Sequence, residues 1–317
     1  MVTVQSISKY DERHPTAVTI GTFDGVHIGH RKILERLIKT AAMVDLKSTV
    51  LTFFPHPRMV LQKDVDIKLL NTIGEKSKIL TEMGLDQLII HPFTKEFSRL
   101  SATEFVRDML VNKLKTKKII IGYDHRFGRN RNANITDLKA FGNTLDFEVE
   151  EISAQEIDEV SVSSTKIRKA LDEGDIPTAN AYLGYHYMLT GSVKKGKGLG
   201  RQIAFPTANL SIPESYKLIP KKGVYTVQSE LFGKTVYGMM NIGHNPTVSG
   251  NAQGADDAQA SIEIHYFDFD QDLYEKEIQV DILHRIRDEH KFESVDALKE
   301  QLHKDKKTSL SLIYNQP

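Results

Sequence analysis

Apolar positions fall into two textures along the 317 residues. Up to about residue 160, short β-branched runs alternate with helical stripes. The run at 17–20 leads through a glycine-containing turn into Ile33, Leu34, Leu37, Ile38 and Ala41, spaced as one helix face. A second run covers 48–54, with a helix around Ile79 and Leu80 behind it. A third covers 88–90, a helix follows around Phe105, Val106 and Leu110, and a fourth run covers 119–121. Strands that alternate with helices predict βαβ units and a parallel sheet with helices on both faces. Such sheets take ligands at the carboxyl ends of their strands, which points to the loops after Ile20, Phe54 and Ile121.

Beyond about residue 185 the texture changes. Strand-like segments at 187–193, 223–231, 235–240, 261–267 and 278–283 are separated by Gly, Pro and Asn turns. No long helical stripe returns until 295–313. The pattern predicts a small antiparallel barrel closed by a C-terminal helix. Two domains are therefore expected, 1–184 and 185–317, with 249–257 as a mobile loop.

Charge narrows the partners. Basic and acidic residues balance at 42 each, with 26 against 25 up to residue 185 and 16 against 17 beyond it. Neither half is a basic body suited to coat nucleic acid or an anionic membrane. With 40% hydrophobic and 26% charged residues, the chain has the mix of a globular protein, not a disordered one. The absence of cysteine excludes disulfides, thiolate catalysis and cysteine-ligated metals. The opening MVTVQSISKYDERHP meets charge too early for a secretory signal, and no apolar run approaches the ~20 residues of a membrane span. A soluble cytoplasmic protein is the expectation.

Candidate chemistry begins at GTFDGVHIGH, residues 21–30. Gly21, Gly25 and Gly29 allow close approach of backbone to a ligand, and His27 and His30, three apart at a helix start, can face one way. An isolated His-x-x-His is more often a glycine turn with solvated histidines. Here Arg31 and Lys32 occupy the first helical turn, where each cation opposes the macrodipole by roughly 0.3–1 kcal/mol. They make sense if an anion sits at the helix start. The anomaly recurs at Ser163, Ser164 and Thr165, followed by Lys166, Ile167, Arg168 and Lys169. Two such starts are expected to be two walls of one polyphosphate pocket; a solvated charged face is the plainer alternative for either alone.

In the second half, GSVKKGKG at 191–198 nearly spells a P-loop, but Gly198 stands where Ser or Thr is required and a barrel strand surrounds it. What remains is a glycine–lysine loop of Gly196, Lys197, Gly198, Gly200 and Arg201 that could cover phosphates. In FPTANL, 205–210, Thr207 and Asn209 share one strand face and offer the hard oxygen ligands that suit Mg²⁺ on a phosphate. Glu263 alternates with Ile262 and Ile264 and could take a proton from an alcohol, although a solvated strand carboxylate is the commoner case.

These residues carry a resemblance. GTFDGVHIGH resembles the His-x-Gly-His signature of nucleotidylyltransferases, and FFPHP (53–57), GYDHRFG (122–128) and SSTKIR (163–168) resemble its companions in bacterial bifunctional riboflavin kinase/FMN adenylyltransferases. The glycine loop, PTAN (206–209), GVY (223–225), NIGHNPT (241–247), Glu263 and RDEHKF (287–292) resemble the kinase half of the same family. The resemblance implies a Rossmann-like domain that joins AMP from ATP to FMN, followed by a barrel that phosphorylates riboflavin with Mg²⁺ and ATP. It places Gly21, Phe23, Asp24, Gly25, His27, Gly29, His30, Asp124, Ser163, Ser164, Thr165 and Arg168 at the first ATP, with His27 and His30 stabilising transition-state charge. It places Gly196, Lys197, Gly198, Gly200, Arg201, Thr207 and Asn209 at the second ATP, with Thr207 and Asn209 on the metal and Glu263 as general base. Phe54, His56, Asn245 and Arg287 would meet flavin. Departures from the family pattern are His125 for Phe, a loop at 129–134 without its usual glycines, and Ala204 and Glu275 for Gly. The implied partners are riboflavin, FMN and ATP, with no nucleic acid or membrane; oligomeric state is left open. Two alternatives are weighed, a nucleotidylyltransferase with another acceptor and a non-catalytic flavin- or RNA-binding regulator.

Overall fold

The computed structural model consists of two compact units, Met1–Ser164 and Thr165–Pro317. The described residues are 1–11, 13–62, 66–153, 156, 162–196, 200, 203–243 and 260–314. The expected loop at 249–257 lies outside them.

The first unit is built on six strands, β1 (Val2–Gln5), β2 (Thr16–Ile20), β3 (Lys47–Phe54), β4 (Gln87–Pro92), β5 (Thr116–Gly122) and β6 (Glu148–Ile152). Their order is β1-β4-β3-β2-β5-β6 and every pairing is parallel. Central β2 is buried at all five positions, which is why its sequence reads as an unbroken run. One face packs Val18, Ile20, Leu51, Ile89, Ile119 and Ile121 against Phe105, Val106, Leu110 and Leu114. Those last four belong to or directly follow α4, an α-helical turn at Ala102–Glu104 that continues as a π-helix over Phe105–Lys113. Helix α1 (Ile28–Met43) packs on β2, β3 and β5 and buries Gly29, Leu34, Leu37 and Ala41. Short α2 (Pro57–Leu61) follows β3, α3 (Ile73–Glu82) precedes β4, and α5 (Ile135–Leu145) precedes β6.

The edge strands β1 and β6 were not legible as hydrophobic runs. Strand β6 reads Glu-Val-Glu-Glu-Ile and survives at the edge because cations meet its carboxylates: Lys118 with Glu148 and Glu150, Arg36 with Glu150, and Lys139 with Glu151.

The second unit opens with α6 (Ser164–Glu173, its first residue in the first unit) and α7 (Ile176–Leu183). A closed barrel follows: β7 (Tyr187–Lys194), β8 (Ala208–Ser211), β9 (Gly223–Leu231), β10 (Lys234–Gly243), β11 (Ser261–Tyr266) and β12 (Glu277–Arg287). Its circular order is β10-β11-β8-β7-β12-β9, antiparallel throughout, so no strand is left with an open edge. Tyr187 and Tyr225 fill the interior, and the Tyr187 hydroxyl donates to the Leu218 carbonyl at 2.7 Å. Helix α8 (Val295–Tyr314) covers β9, β10 and β12, with Leu302, Leu310 and Ile313 on Phe205, Met239 and Phe267. The parallel sheet, barrel and C-terminal helix are those the sequence predicts. Among the described residues no helix is long and apolar enough to cross a membrane.

Candidate active sites

The loop after β2 leaves the middle of the sheet at its carboxyl end, the position where parallel sheets take ligands. It is tightly wound. Phe23 (φ 45°), Gly25 (φ 87°) and Val26 (φ 38°) are left-handed. A β-branched residue there is a true outlier, and such strain costs about 1–3 kcal/mol unless surroundings enforce it. The enforcement is visible. The Val26 N–H donates to the Phe23 carbonyl at 3.2 Å, and buried Asp24 turns its carboxylate inward to accept from the Leu70 N–H at 2.9 Å. The Asp24 carbonyl accepts from the Ser164 hydroxyl at 2.9 Å, and the Thr22 carbonyl accepts from Lys76 Nζ at 2.6 Å and the Thr52 hydroxyl at 3.3 Å. Gly21 sits close to the Phe23 ring: a Cβ would lie 3.0 Å from it, so a side chain there would press on the ring.

His27 caps α1, with Nδ1 accepting from the His30 N–H at 3.4 Å. The two imidazoles stack at 3.6 Å between centroids and 17° between planes, and Phe23 meets His30 edge-on at 5.2 Å. Burial pulls the His27 pKa down to about 4 although Asp24 opposes it. Burial, then His27 and Lys76, hold His30 well below its ordinary value. Both rings are therefore neutral at neutral pH, as two stacked cations could not be. With Nδ1 of His27 accepting, its proton sits on Nε2, which is left as a donor. The His30 Nδ1 is buried with no hydrogen-bond partner among the described residues.

The expected excess cations are partly accounted for by ordinary partners. Lys32 Nζ donates to the Glu156 carbonyl at 2.8 Å, and Lys169 pairs with Glu173 at 3.8 Å on an exposed helix face. Each of these two therefore has a protein partner independent of any anion. Lys32 also lines, with Arg36, Lys39 and Ser153, a cleft of about 550 Å³ whose lining includes neither histidine. Ser163 lies just before α6, and Thr165 and Arg168 lie within it on the second unit's side of the division. Asp124 is exposed in the turn after β5, where the His125 N–H donates to the Gly122 carbonyl at 3.1 Å. The His125 ring is roughly parallel to Phe127 at 6.1 Å, its Nε2 is buried without a hydrogen-bond partner among the described residues, and burial lowers its pKa to about 4. It is a neutral ring packed near Phe127.

Phe54 ends β3 and is joined to Pro55 by a cis peptide, and His56 caps α2 by accepting from the Arg58 N–H at 3.1 Å. Beside them, Phe53, Phe93 and Phe97 form an aromatic cluster with centroids 5.4–5.8 Å apart. Nothing in the periodicity marks Phe93, directly after β4, or Phe97, which opens a single 3₁₀ turn. For Lys76 the only advance signal was a charged residue on a stripe that buries Ile79 and Leu80.

In the barrel, Thr207 directly precedes β8 and its hydroxyl donates to Glu263 Oε2 at 3.2 Å. Asn209 stands opposite Glu263 on β11 and opposite Lys194 on β7, so antiparallel register gathers the three residues expected to act together. Gly196 presses on the same group, since a Cβ there would lie 2.3 Å from Asn209 Nδ2. His265 Nδ1–H donates to the Pro206 carbonyl at 2.9 Å and steadies the turn into β8. Gly200 is capped by the Phe205 N–H, which donates to its carbonyl at 2.8 Å. Lys197, Gly198, Arg201 and Asn245 lie outside the described residues. Arg287 is engaged by Asp305 of α8, with Nε and Nη2 donating at 3.0 and 2.7 Å to a carboxylate that is 1% exposed.

Two family models match the chain, FAD synthetase over residues 9–166 and riboflavin kinase over residues 183–313. The fold and these two modules define a transferase with a nucleotidyl-transferring half followed by a kinase half. The chain is 38% identical over 292 residues to the bifunctional riboflavin kinase/FMN adenylyltransferase of Buchnera aphidicola subsp. Schizaphis graminum, covering 92% of this chain and 91% of the relative. It is 37% identical over 289 residues to the enzyme of the same name from Listeria monocytogenes, covering 91% and 89%. A solved structure described as a macrolide-efflux protein from Streptococcus pneumoniae superposes with a TM-score of 0.85 at 30% identity, over 100% of this chain and 99% of that one. The chain belongs to the bifunctional riboflavin kinase/FMN adenylyltransferase family.

Proposed function

We propose that residues 185–317 phosphorylate riboflavin to FMN and residues 1–184 adenylylate FMN to FAD, each with ATP, in the cytoplasm and without nucleic acid or membrane. The observation that carries this reading is the gathering of Thr207, Asn209 and Glu263 by the register of β8 and β11. An alcohol is a poor nucleophile, and this is the equipment it needs.

In the kinase step the riboflavin 5′-hydroxyl oxygen bonds to the γ-phosphorus of ATP as the bond to the β,γ-bridging oxygen breaks, and ADP leaves. Glu263, half-buried and already accepting from Thr207, takes the hydroxyl proton. Thr207 and Asn209 fit Mg²⁺ in donor chemistry, because both offer neutral hard oxygens and Mg²⁺ usually keeps waters and substrate phosphates as its other ligands. No cluster of three or more His, Cys, Asp or Glu suited to a metal occurs among the described residues. When bound, Mg²⁺ supplies charge neutralisation on the phosphates. Gly196, Lys197, Gly198, Gly200 and Arg201 are assigned to the ATP, and Asn245 and Arg287 to the flavin.

In the adenylyl step an FMN phosphate oxygen bonds to the α-phosphorus of a second ATP and pyrophosphate leaves. The attacking oxygen carries no proton at neutral pH, so alignment and charge stabilisation suffice. His27 donates through Nε2–H, His30 stacks beneath it, and Gly21, Phe23, Asp24, Gly25 and Gly29 shape the loop that seats them. Ser163, Ser164, Thr165 and Arg168 are assigned to the leaving pyrophosphate, Asp124 to the nucleotide, and Phe54 and His56 to the flavin. The test is to incubate the purified chain with riboflavin, ATP and Mg²⁺ and separate the flavins. FMN and then FAD are expected; absence of both refutes the reading.

A further inference from the structure

Lys76 is a charged side chain of the first unit for which neither reaction, as written above, has a task. It stands in the first turn of α3 and is 4% exposed, where an ammonium is costly unless held. Its Nζ donates to the Thr22 carbonyl at 2.6 Å. Burial lowers its pKa, and Asp24, itself buried, favours the charged form.

Thr22 opens the wound segment that carries Phe23 and Val26 at left-handed φ and ends at the His27 cap. A strained loop persists only where neighbours over-determine it, and Lys76 is the charged member of the set that grips Thr22. There is also an electrostatic gap. The stacked histidines are neutral, yet transfer at the α-phosphorus builds negative charge in front of them. Lys76, whose charged form Asp24 favours against burial, is close enough to His30 to help hold its pKa down. In a water-poor interior such a charge is screened far less than it would be at the surface.

We infer that Lys76 is a positioning residue of the adenylyl-transfer site: its ammonium fixes the Thr22 carbonyl, and with it the seat of His27 and His30, and adds a positive charge that acts on His30. This rests on the adenylyl-transfer reading above. Lys76 works through the loop and its field; no contact with substrate is required of it.

The experiment measures FAD formation from supplied FMN and ATP in the full chain for Lys76→Met, Lys76→Gln and Lys76→Arg, with riboflavin phosphorylation by the same preparations as the internal reference. Met and Gln are expected to lower kcat for FAD formation by about 100-fold while KM for ATP changes less than about threefold. Arg, which restores charge, is expected to exceed Gln by at least about tenfold in kcat, with phosphorylation equal to wild type in all three. A Gln variant within about threefold of wild-type kcat, or an Arg variant no better than Gln, overturns the inference. Should the Met chain lose the cooperative melt of its first unit, Gln carries the test, because it retains an N–H for the Thr22 carbonyl. A wild-type chain that makes FMN but no FAD overturns the adenylyl-transfer reading instead.

Discussion

The two units hold their reactive groups in opposite ways. The first places them on a strained loop gripped by a buried carboxylate and a buried lysine, with two neutral, largely buried histidines at its end. The second places them on strands, where a half-buried Glu263 meets Thr207 across regular antiparallel register. The difference follows the nucleophiles proposed for each. A phosphate monoester arrives ionised and needs a shaped, charge-stabilising seat, for which backbone strain is a suitable device. An alcohol must lose a proton, for which a carboxylate held on a rigid strand serves better.

The sharpest break of this comparison is a crossed pair of substitutions. Glu263→Ala is expected to lower riboflavin phosphorylation about 1,000-fold and leave adenylylation of supplied FMN intact. His30→Ala is expected to lower adenylylation about 100- to 1,000-fold and leave phosphorylation intact. Both are read by separating the flavin products, and a variant that silences both steps in a folded chain would dissolve the division of roles. Next in size is Asp305→Ala, which strands the Arg287 guanidinium that the buried carboxylate now holds. Removing one partner of such a pair should destabilise the second unit by about 3 kcal/mol, seen as a lower melting temperature for that unit alone.

Acid should separate the units more gently. The folded-state pKa values of His27 and His125, each about 4, lie below the unfolded value of 6.5. As pH falls from 6.5 towards 4 the unfolded chain binds protons that the folded chain refuses. Stability is therefore full above 6.5 and declines below it, by about 1.4 kcal/mol per pH unit for each histidine still neutral in the fold. Denaturant melts between pH 6.5 and 4.5 should show the first unit falling more steeply than the second, in which the histidines with lowered pKa, His265 and His284, are only partly buried.

The smallest effect concerns the departures from the family pattern. Ala204 (φ 63°) and Glu275 (φ 62°) are both left-handed, the conformation that glycine holds without penalty, and so are Asn130 and Arg131 in the loop that lacks its usual glycines. Ala204→Gly and Glu275→Gly should each raise the stability of the second unit by about 0.5–1 kcal/mol, the relief of left-handed strain less the added freedom of the unfolded chain. Equal or lower melting temperatures would show that neighbours already compensate the strain.

Legibility in the sequence followed burial on both sides. The central strands β2, β3 and β5, enclosed by helices, reveal themselves as apolar runs, and the barrel strands reveal themselves through turns. Strand β6 did not, because an edge held by ion pairs carries a composition that strands elsewhere avoid. At the candidate sites, His27 and His30 could be nominated from their type and spacing, and Glu263 through the family resemblance. Lys76 could not be, because a lysine in a helix ordinarily faces water, and only the crossing of α3 under the loop gives its ammonium a carbonyl to hold. The direction of the Asp24 carboxylate was hidden for the same reason, since its partner is a backbone N–H at Leu70.

Barrel closure also sets an order of events during synthesis. Strand β12 pairs with both β7 and β9, so the ring has no complete form until residue 287 has left the ribosome, late in a chain of 317. All six strands of the parallel sheet, by contrast, are in hand by residue 152. A nascent chain thus holds a finished adenylyl-transferring sheet while its kinase is still an unclosed ribbon, and a truncation short of β12 should yield the first without the second.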